Sequence, residues 1–245
     1  MDQVPVIKNP HNAVIITFFM NNIDIKTVQK QREVVSKFNP SGIEHYSVQT
    51  GFEHGLSMDL AWQLNGVEMA TIGANNAPKR FDFDVMVFLD VDALPLNANS
   101  LDYIVERAAT NQVLIGNVQN SNHIENDKHL FVAPSVLAVS EDTFVSMGKP
   151  SGRPTRRGDV AEEYTYAAEA NKVPVEIFLP LSYEEAPAEK PYWDLQNESV
   201  PEANRKYGRG TTFGLTEPMF WHQFQSFHPG QQEKFMKKCE EILNG

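Results

Sequence analysis

Two aspartates separated by one residue, Asp90 and Asp92, directly follow the apolar run Val85–Leu89. A short continuous apolar run is typical of a buried strand, so both acids are expected where that strand ends. Carboxylate oxygens are the ligands that hard divalent cations prefer, and a pair of them leaves coordination positions open for phosphate oxygens. The segment therefore predicts a site for a hard divalent cation that also binds a ligand carrying a diphosphate.

Basic residues are clustered, although the formal net charge of the chain is −11. In an acidic protein such clusters are candidate sites for a phosphorylated ligand, and solvated surface charge is the alternative. The glycine-rich stretch NRKYGRGTTFG is interpreted either as a loop that closes over a diphosphate, with Lys206 and Arg209 as its charges, or as a plain connector. The clusters are Lys79-Arg80, Arg153 with Arg156-Arg157, and Arg205-Lys206 with Arg209.

Apolar runs of strand length alternate with amphipathic helical patterns along the chain. The predicted strands are Ala13–Phe19, His45–Thr50, Val67–Ile72, Val85–Leu89, Gln112–Val118, Phe131–Val139 and Val173–Leu179. The predicted helices are Asp24–Phe38, one capped by Ser57 and ending at Gly66, one beginning at Asn99 or Ser100, Glu141–Met147, Asp159–Asn171 and Gln231–Leu243. Ser182–Gly214 is rich in proline, glycine and polar residues, so mostly irregular structure is expected there.

This order of elements predicts a single α/β domain over residues 1–245, with a mostly parallel central sheet flanked by helices. In such sheets ligands bind beyond the carboxyl ends of the strands, which is where Asp90 and Asp92 are expected. The length of 245 residues and the hydrophobic content of 41% suffice for one sizeable core.

The composition of the chain indicates which binding partners and which cellular compartment to expect. A strongly negative net charge disfavours nucleic acid and anionic membrane surfaces. The apolar run Ala13–Met20 is far shorter than the ~20 residues that span a bilayer, and the N-terminus lacks the pattern of a signal peptide. The single cysteine, Cys239, excludes an intrachain disulfide and is expected to pack in the last helix, so a cytoplasmic location is expected.

The segment FLDVDALPLNANSLDYIVERA resembles the D-x-D segment of nucleotide-sugar-dependent glycosyltransferases with the GT-A fold, of bacterial, viral and glycogenin-like types. The resemblance is clear over Val85–Arg107 and looser over the first strand and over FVAPSVLAVSEDTF. The H-x-x-G-x-x-K-P-W segment of glycogenin-like enzymes is absent, and only EKPYW at Glu189–Trp193 matches its end.

The resemblance implies transfer of a sugar from a nucleotide-diphosphate donor, by family habit a UDP-sugar, to a hydroxyl acceptor such as a glycan. Asp90 and Asp92 would bind Mn²⁺ or Mg²⁺ at the diphosphate, with His222 as the first candidate for a third ligand and His228 as the second. Residues 1–110 would form the nucleotide-binding half and residues 111–245 the acceptor-binding half. Residues implied to contact the nucleoside, phosphates or donor sugar are Thr17, Phe18, Phe19, Thr50 and Lys79 or Arg80.

An inverting transfer also needs a general base for the acceptor hydroxyl. In inverting enzymes of this fold that carboxylate starts a helix after the acceptor-side strand, and GDVAEEYTYAAEA offers Asp159, Glu162 and Glu163 there. Acids in the first turn also interact favourably with the helix dipole, which is an alternative role for them. The sequence leaves the choice among the three, and between inversion and retention, open.

Two other functions compete with this interpretation. An apolar strand ending in D-x-D also describes haloacid-dehalogenase-like phosphatases, in which Asp90 would be the nucleophile. The proline at position 95 and the location of the motif well inside the chain disfavour that class. The second alternative is a non-catalytic protein that binds nucleotides or sugars.

Overall fold

The computed structural model describes residues 11–72, 81–121, 128–226 and 228–245. Within these ranges the strands are β1 (Ala13–Phe19), β2 (Glu44–Gln49), β3 (Val85–Leu89), β4 (Ala93–Pro95), β5 (Leu114–Asn120), β6 (Leu130–Ser140), β7 (Val175–Ser182), β8 (Trp193–Asp194), β9 (Lys206–Tyr207), β10 (Thr211–Gly214) and β11 (Pro218–His222). The α-helices are α1 (Ile25–Lys37), α2 (His54–Leu64), α3 (Ser100–Asn111), α4 (Glu141–Ser146), α5 (Glu162–Asn171) and α6 (Gln231–Asn244).

Nine of these strands form one sheet in the order β2-β1-β3-β6-β5-β7-β10-β11-β4. Strand β1 is parallel to β2 and β3, and β5 is parallel to β7, whereas the other neighbours are antiparallel. Because only β4, β6 and β10 run against the rest, six of the nine strands share one direction. The predicted α/β fold with a central sheet and flanking helices is confirmed, and antiparallel strands complete it on the β4 side.

The central strands are buried on both faces, which explains their continuous apolar sequences. Alternate residues of β3 pack on opposite layers: Val87 belongs to the same core cluster as Ile104 of α3, and Phe88 to the same cluster as Trp62 of α2. Helix α6 closes a third cluster, in which Phe235 and Cys239 pack with residues of α1, β4 and β11. Cys239 is fully buried, as expected for a packing residue.

Two local predictions around α2 are wrong. The segment 67–72 is not a strand, because its backbone amides complete the end of α2: the Val67 amide donates to the Trp62 carbonyl, and the Met69 amide to the side chain of Gln63. Ser57 is not a cap, because the helix already begins at His54 and the Ser57 hydroxyl donates to the Glu53 carbonyl within it.

Three further boundaries differ from expectation. The helix predicted from Asp159 begins at Glu162, after a left-handed Ala161. The segment expected to be irregular contains β8, β9 and β10, and β4 and β11 were not expected as strands. β4 has only 3 residues, so its hydrophobic pattern is too short to identify it.

None of the described helices has the length and apolar character to cross a membrane.

Candidate functional site

A tight turn at the carboxyl end of β3 carries both aspartates. The Ala93 amide donates to the Asp90 carbonyl at 3.0 Å and closes the turn, while the Asp90 amide donates to the Ser135 carbonyl of β6 at 3.1 Å. On the other side, the Gln223 amide donates to the Asp92 carbonyl at 3.0 Å. The turn is therefore fixed both to the central sheet and to the segment that follows β11.

The β4–β11 pairing brings the third group of the site to this turn. In its register His222 lies opposite Ala93, one residue after Asp92. The His222 Nε2 atom is 3.1 Å from Asp92 Oδ1 and 3.8 Å from Asp90 Oδ2. One ligand atom from each of the three side chains lies within 4.8 Å of the others, a spacing suited to one shared cation.

The donor set fits the metal that the sequence predicts. Two carboxylates and one imidazole are ligands that Mn²⁺ accepts, and the second imidazole nitrogen, His222 Nδ1, is buried without a hydrogen-bond partner in the described part of the chain. Buried polar atoms without a partner are rare and indicate a role beyond packing. The arrangement Asp90, Asp92 and His222 is thus able to hold a divalent cation.

The local electrostatics shift the pKa values of the two carboxyl groups in opposite directions. Burial raises the pKa of Asp90, and the neighbouring charge of Asp92 adds to this against the opposing effect of His54. For Asp92 burial acts in the same upward direction, but the charge and hydrogen bond of His222 outweigh it and lower the pKa. The same two carboxylates raise the pKa of His222 against its burial. The site therefore favours positive charge at its centre.

A cavity of about 460 Å³ opens beside these residues. Phe18 and Phe19 line it from the end of β1, and Thr50 lines it from the end of β2. These are three of the residues expected to contact a nucleoside. The cavity is thus bounded on one side by the candidate metal group and on the other by the ends of the first two parallel strands.

The other predicted ligand contacts lie elsewhere. Thr17 is fully buried, and its hydroxyl is hydrogen-bonded to His45 Nε2 at 3.0 Å. Lys206 extends over the ring of Tyr192, with its Nζ atom 4.6 Å from the ring centre. Lys79 and Arg80 lie outside the described residues.

Arg209 is nearly buried and reaches the cavity through a neighbour. Its Nε and Nη2 atoms donate to the Gln225 side-chain oxygen at 3.0 and 2.6 Å, and Gln225 lines the cavity. The guanidinium has no carboxylate within salt-bridge distance in the described part of the chain. His228, the second candidate metal ligand, is not part of the Asp90, Asp92 and His222 group.

The three candidate bases do not line this cavity, and each carboxylate has partners of its own. Glu163 accepts hydrogen bonds from Thr155 Oγ1 at 2.8 Å and from Arg157 Nε at 2.9 Å. Glu162 is fully buried and accepts three hydrogen bonds, and Asp159 accepts one from the Val160 amide at 2.7 Å. A catalytic role for any of them stays a prediction.

The structure adds site residues that the sequence did not indicate. His54, at the start of α2, lines the cavity with its Nδ1 atom 3.5 Å from Asp90 Oδ1 and its ring edge-on to Phe18. Gln119 and Ser135 also line the cavity, beside the point where the β5–β6 register shifts. Such bulges re-aim side chains next to functional sites.

A glycine marks this bulge. A Cβ atom on Gly116 would lie 1.9 Å from the Val136 carbonyl oxygen, so only glycine lets β6 approach β5 at this point. Gly116 within an apolar strand pattern is the one sequence signal that could have indicated the bulge.

No protein-family model and no curated protein sequence matches this chain. Similar solved structures include Drosophila β1,4-galactosyltransferase 7 in complex with manganese, UDP-Gal and xylobiose, at 14% identity over 90% of this chain and 74% of that one, with a TM-score of 0.49. The galactosyltransferase LgtC, in complex with donor and acceptor sugar analogues, is 11% identical over 94% of this chain and 95% of its own, with a TM-score of 0.47.

The mannosyltransferase PcManGT from Pyrobaculum calidifontis, in complex with GDP-Man and Mn²⁺, is 12% identical over 69% of this chain and 56% of its own, with a TM-score of 0.45. All three of these similar proteins are glycosyltransferases.

Proposed function

We propose that this protein is a metal-dependent glycosyltransferase that moves a sugar from a nucleotide-diphosphate donor to a hydroxyl acceptor. The observation that carries the proposal is the convergence of Asp90, Asp92 and His222 at the carboxyl end of β3, on the wall of a cavity. The sequence resemblance around the D-x-D segment supports the same function.

In this proposal the two sides of the cavity have different tasks. Phe18, Phe19 and Thr50 contact the nucleoside, so the diphosphate lies between them and the two aspartates. Asp90 and Asp92, with His222, hold Mn²⁺ or Mg²⁺, which when bound neutralises the diphosphate and stabilises it as a leaving group. The two carboxylates also repel an anion from this wall unless a cation is present, so nucleotide binding requires the metal.

Other polar side chains are assigned to the sugar and phosphates. Gln119 and Ser135, which line the cavity, offer amide and hydroxyl groups for the hydroxyls of the donor sugar. Arg209, whose described side-chain partner is the neutral amide of Gln225, supplies positive charge for a phosphate from behind this residue of the cavity wall. Lys206 lies in β9 and does not line the cavity, so its contact with the ligand stays a prediction.

The proposed general base is Asp159, which lies outside the cavity lining and would act on an acceptor bound beside the cavity. The guanidinium of Arg157 is the main cause of a lowered pKa for Glu163, which makes that carboxylate a weaker base. Glu162 is buried among three donors, whereas the described contact of the Asp159 carboxylate is a backbone amide. Turnover by Asp159→Asn that equals wild type would reject this assignment.

Thermal unfolding in the presence of nucleotides tests the proposal. We expect UDP or GDP to raise Tm in the presence of Mn²⁺ and to have little effect in EDTA. Asp92→Ala should remove this shift, while the matched change Asp194→Ala, at an exposed carboxylate on β8, should preserve it.

Turnover completes the test. UDP-galactose and GDP-mannose, which are named in the similar structures, are the first donors to assay for Mn²⁺-dependent release of nucleoside diphosphate. Absence of stabilisation by any nucleotide would reject the proposal. Hydrolysis of an aryl phosphate that is lost in Asp90→Asn would support the phosphatase alternative instead.

A further inference from the structure

A buried glutamine of α1 contacts the backbone of the aspartate turn. Gln31 is fully buried, and its Nε2 atom donates to the Asp90 carbonyl at 2.6 Å and to the Ala93 carbonyl at 3.2 Å. These two carbonyls belong to the first and last residues of the turn that carries both aspartates. One side-chain amide therefore joins the two ends of the turn.

The side-chain oxygen of Gln31 makes no comparable contact with the described residues. The Gln31 Oε1 atom is buried without a hydrogen-bond partner in the described part of the chain. An unpaired buried acceptor is unfavourable, and an apolar side chain of similar size would avoid it. The amide is thus explained by what its N–H groups hold, and not by packing in the core.

The turn is held from three directions, and Gln31 makes the hydrogen bonds on the side that faces α1. The Asp90 amide is held by Ser135 of β6, and the Asp92 carbonyl by the Gln223 amide. Between the two aspartates, Val91 packs in a small apolar cluster that includes Val28 of α1. Sheet, C-terminal segment and helix each fix the turn, and Gln31 supplies the helix's hydrogen bonds.

We propose that Gln31 is a positioning residue for the metal site. By holding the Asp90 and Ala93 carbonyls, it keeps the turn in the conformation in which both carboxylates meet His222 Nε2. Groups that orient metal ligands contribute strongly to metal affinity, because the ligands must be held close to the geometry that the ion requires. The inference rests on the proposed function only in taking the bound ion to be Mn²⁺ or Mg²⁺.

The test is Mn²⁺ affinity in Gln31→Met, measured from the electron paramagnetic resonance signal of free Mn²⁺ and by calorimetry. Methionine fills nearly the same space but has no N–H group. We expect Mn²⁺ binding to weaken about 10- to 100-fold, as for other residues that orient metal ligands. Hydrogen exchange of the Ala93 amide should also accelerate, because the turn is no longer held from α1.

The matched control is Val34→Ala, which removes buried volume from the same helix in a core cluster that contains none of the four turn residues. Its loss of stability should leave Mn²⁺ affinity unchanged. Gln31→Asn provides a second variant: its amide is one methylene shorter and no longer reaches both carbonyls, so it should show the same loss of affinity.

The outcomes distinguish the positioning role of Gln31 from the proposed function. Wild-type Mn²⁺ affinity in both Gln31 variants, or an equal loss in Val34→Ala, overturns the positioning role and leaves the proposed function intact. No Mn²⁺ binding by the wild-type protein overturns the metal site and this inference with it. A Gln31→Met protein that is folded, with fast Ala93 exchange and weak Mn²⁺ binding, supports the inference.

Discussion

Replacement of Glu162 tests whether this buried carboxylate stabilises the fold or transfers protons. Its oxygens accept hydrogen bonds from the Asp159 amide at 2.8 Å, Ser121 Oγ at 2.9 Å and His129 Nδ1 at 2.6 Å. The residue thereby joins the start of α5 to the segments that flank the β5–β6 connection.

The size of the effect follows from these three contacts. Glu162→Ala removes the acceptor of three hydrogen bonds, and the loss of one buried hydrogen-bond partner costs about 1–3 kcal/mol. Because the three share one site their costs do not add fully, so the free energy of unfolding should fall by about 3–5 kcal/mol. Glu162→Gln keeps an acceptor oxygen but removes the charge beside His129, for a loss of about 1–2 kcal/mol.

The loss should depend on pH through His129. Burial disfavours its charged form, but the hydrogen bond and charge of Glu162 outweigh this and raise the pKa of His129 above its ordinary value of 6.5. A histidine with a raised pKa in the folded state stabilises fully below pH 6.5, and this stabilisation disappears as the pH rises through the folded-state pKa. Glu162→Gln should therefore cost more stability near pH 6 than near pH 9.

Urea unfolding at these two pH values measures the effect. Glu163→Gln is the control on the same helix, because its partner Arg157 is exposed and such pairs contribute only about 0–1 kcal/mol. If Glu162→Ala unfolds within about 1 kcal/mol of wild type, the three contacts do not stabilise the fold as reasoned. A Glu162→Gln protein with wild-type stability but no sugar transfer would identify Glu162 as the base instead.

Two further perturbations test other parts of the fold. Burial, with a smaller contribution from Arg32, lowers the pKa of His45 to about 4, so stability should fall by roughly 2–3 kcal/mol as the pH decreases from 6.5 to 4, and His45→Gln should abolish that dependence in urea titrations. A Cβ atom on Gly55 would lie 2.1 Å from the Gly152 oxygen, so Gly55→Ala should lower stability by about 1–3 kcal/mol, whereas Gly51→Ala, with open space around it, should not. A Gly55→Ala protein as stable as Gly51→Ala would show that the two segments separate freely.

The local parts of the site could be predicted from the sequence. Asp90 and Asp92 follow an apolar run that is long enough to identify as a buried strand, and such strands end at the edge where ligands bind. Their position in the structure needed no long-range information. The resemblance also implied a role for Phe18, near the end of the first strand, and for Thr50, directly after the second, and both line the cavity.

The non-local parts could not be derived from periodicity. His222 reaches the aspartates because β11 pairs with the three-residue β4, a contact between residues far apart in the chain. The resemblance to known enzymes, and no pattern in the chain, pointed to that histidine. His54 and Gln119 have no motif at all, since only the packing of α2 and the β5–β6 bulge turn them toward the cavity.

For the acids at the start of α5, the sequence predicted the position in the chain but not the contacts. Asp159, Glu162 and Glu163 were expected at a helix start, and α5 does begin at Glu162. Composition alone did not reveal that Glu162 would be fully buried among three donors, or that Glu163 would pair with Arg157. Ser121 and His129 reach Glu162 from segments far away in the chain, and the Arg157 pairing depends on the conformation of the irregular loop before α5.

Anomalous diffraction at the manganese edge, from crystals grown with Mn²⁺ and UDP, tests the central claim most directly. The proposed function predicts one strong peak in contact with Asp90, Asp92 and His222, with the diphosphate bound to the same ion and the nucleoside beside Phe18 and Thr50. A peak at another site, or UDP bound in the cavity without an ion on these three residues, would contradict it.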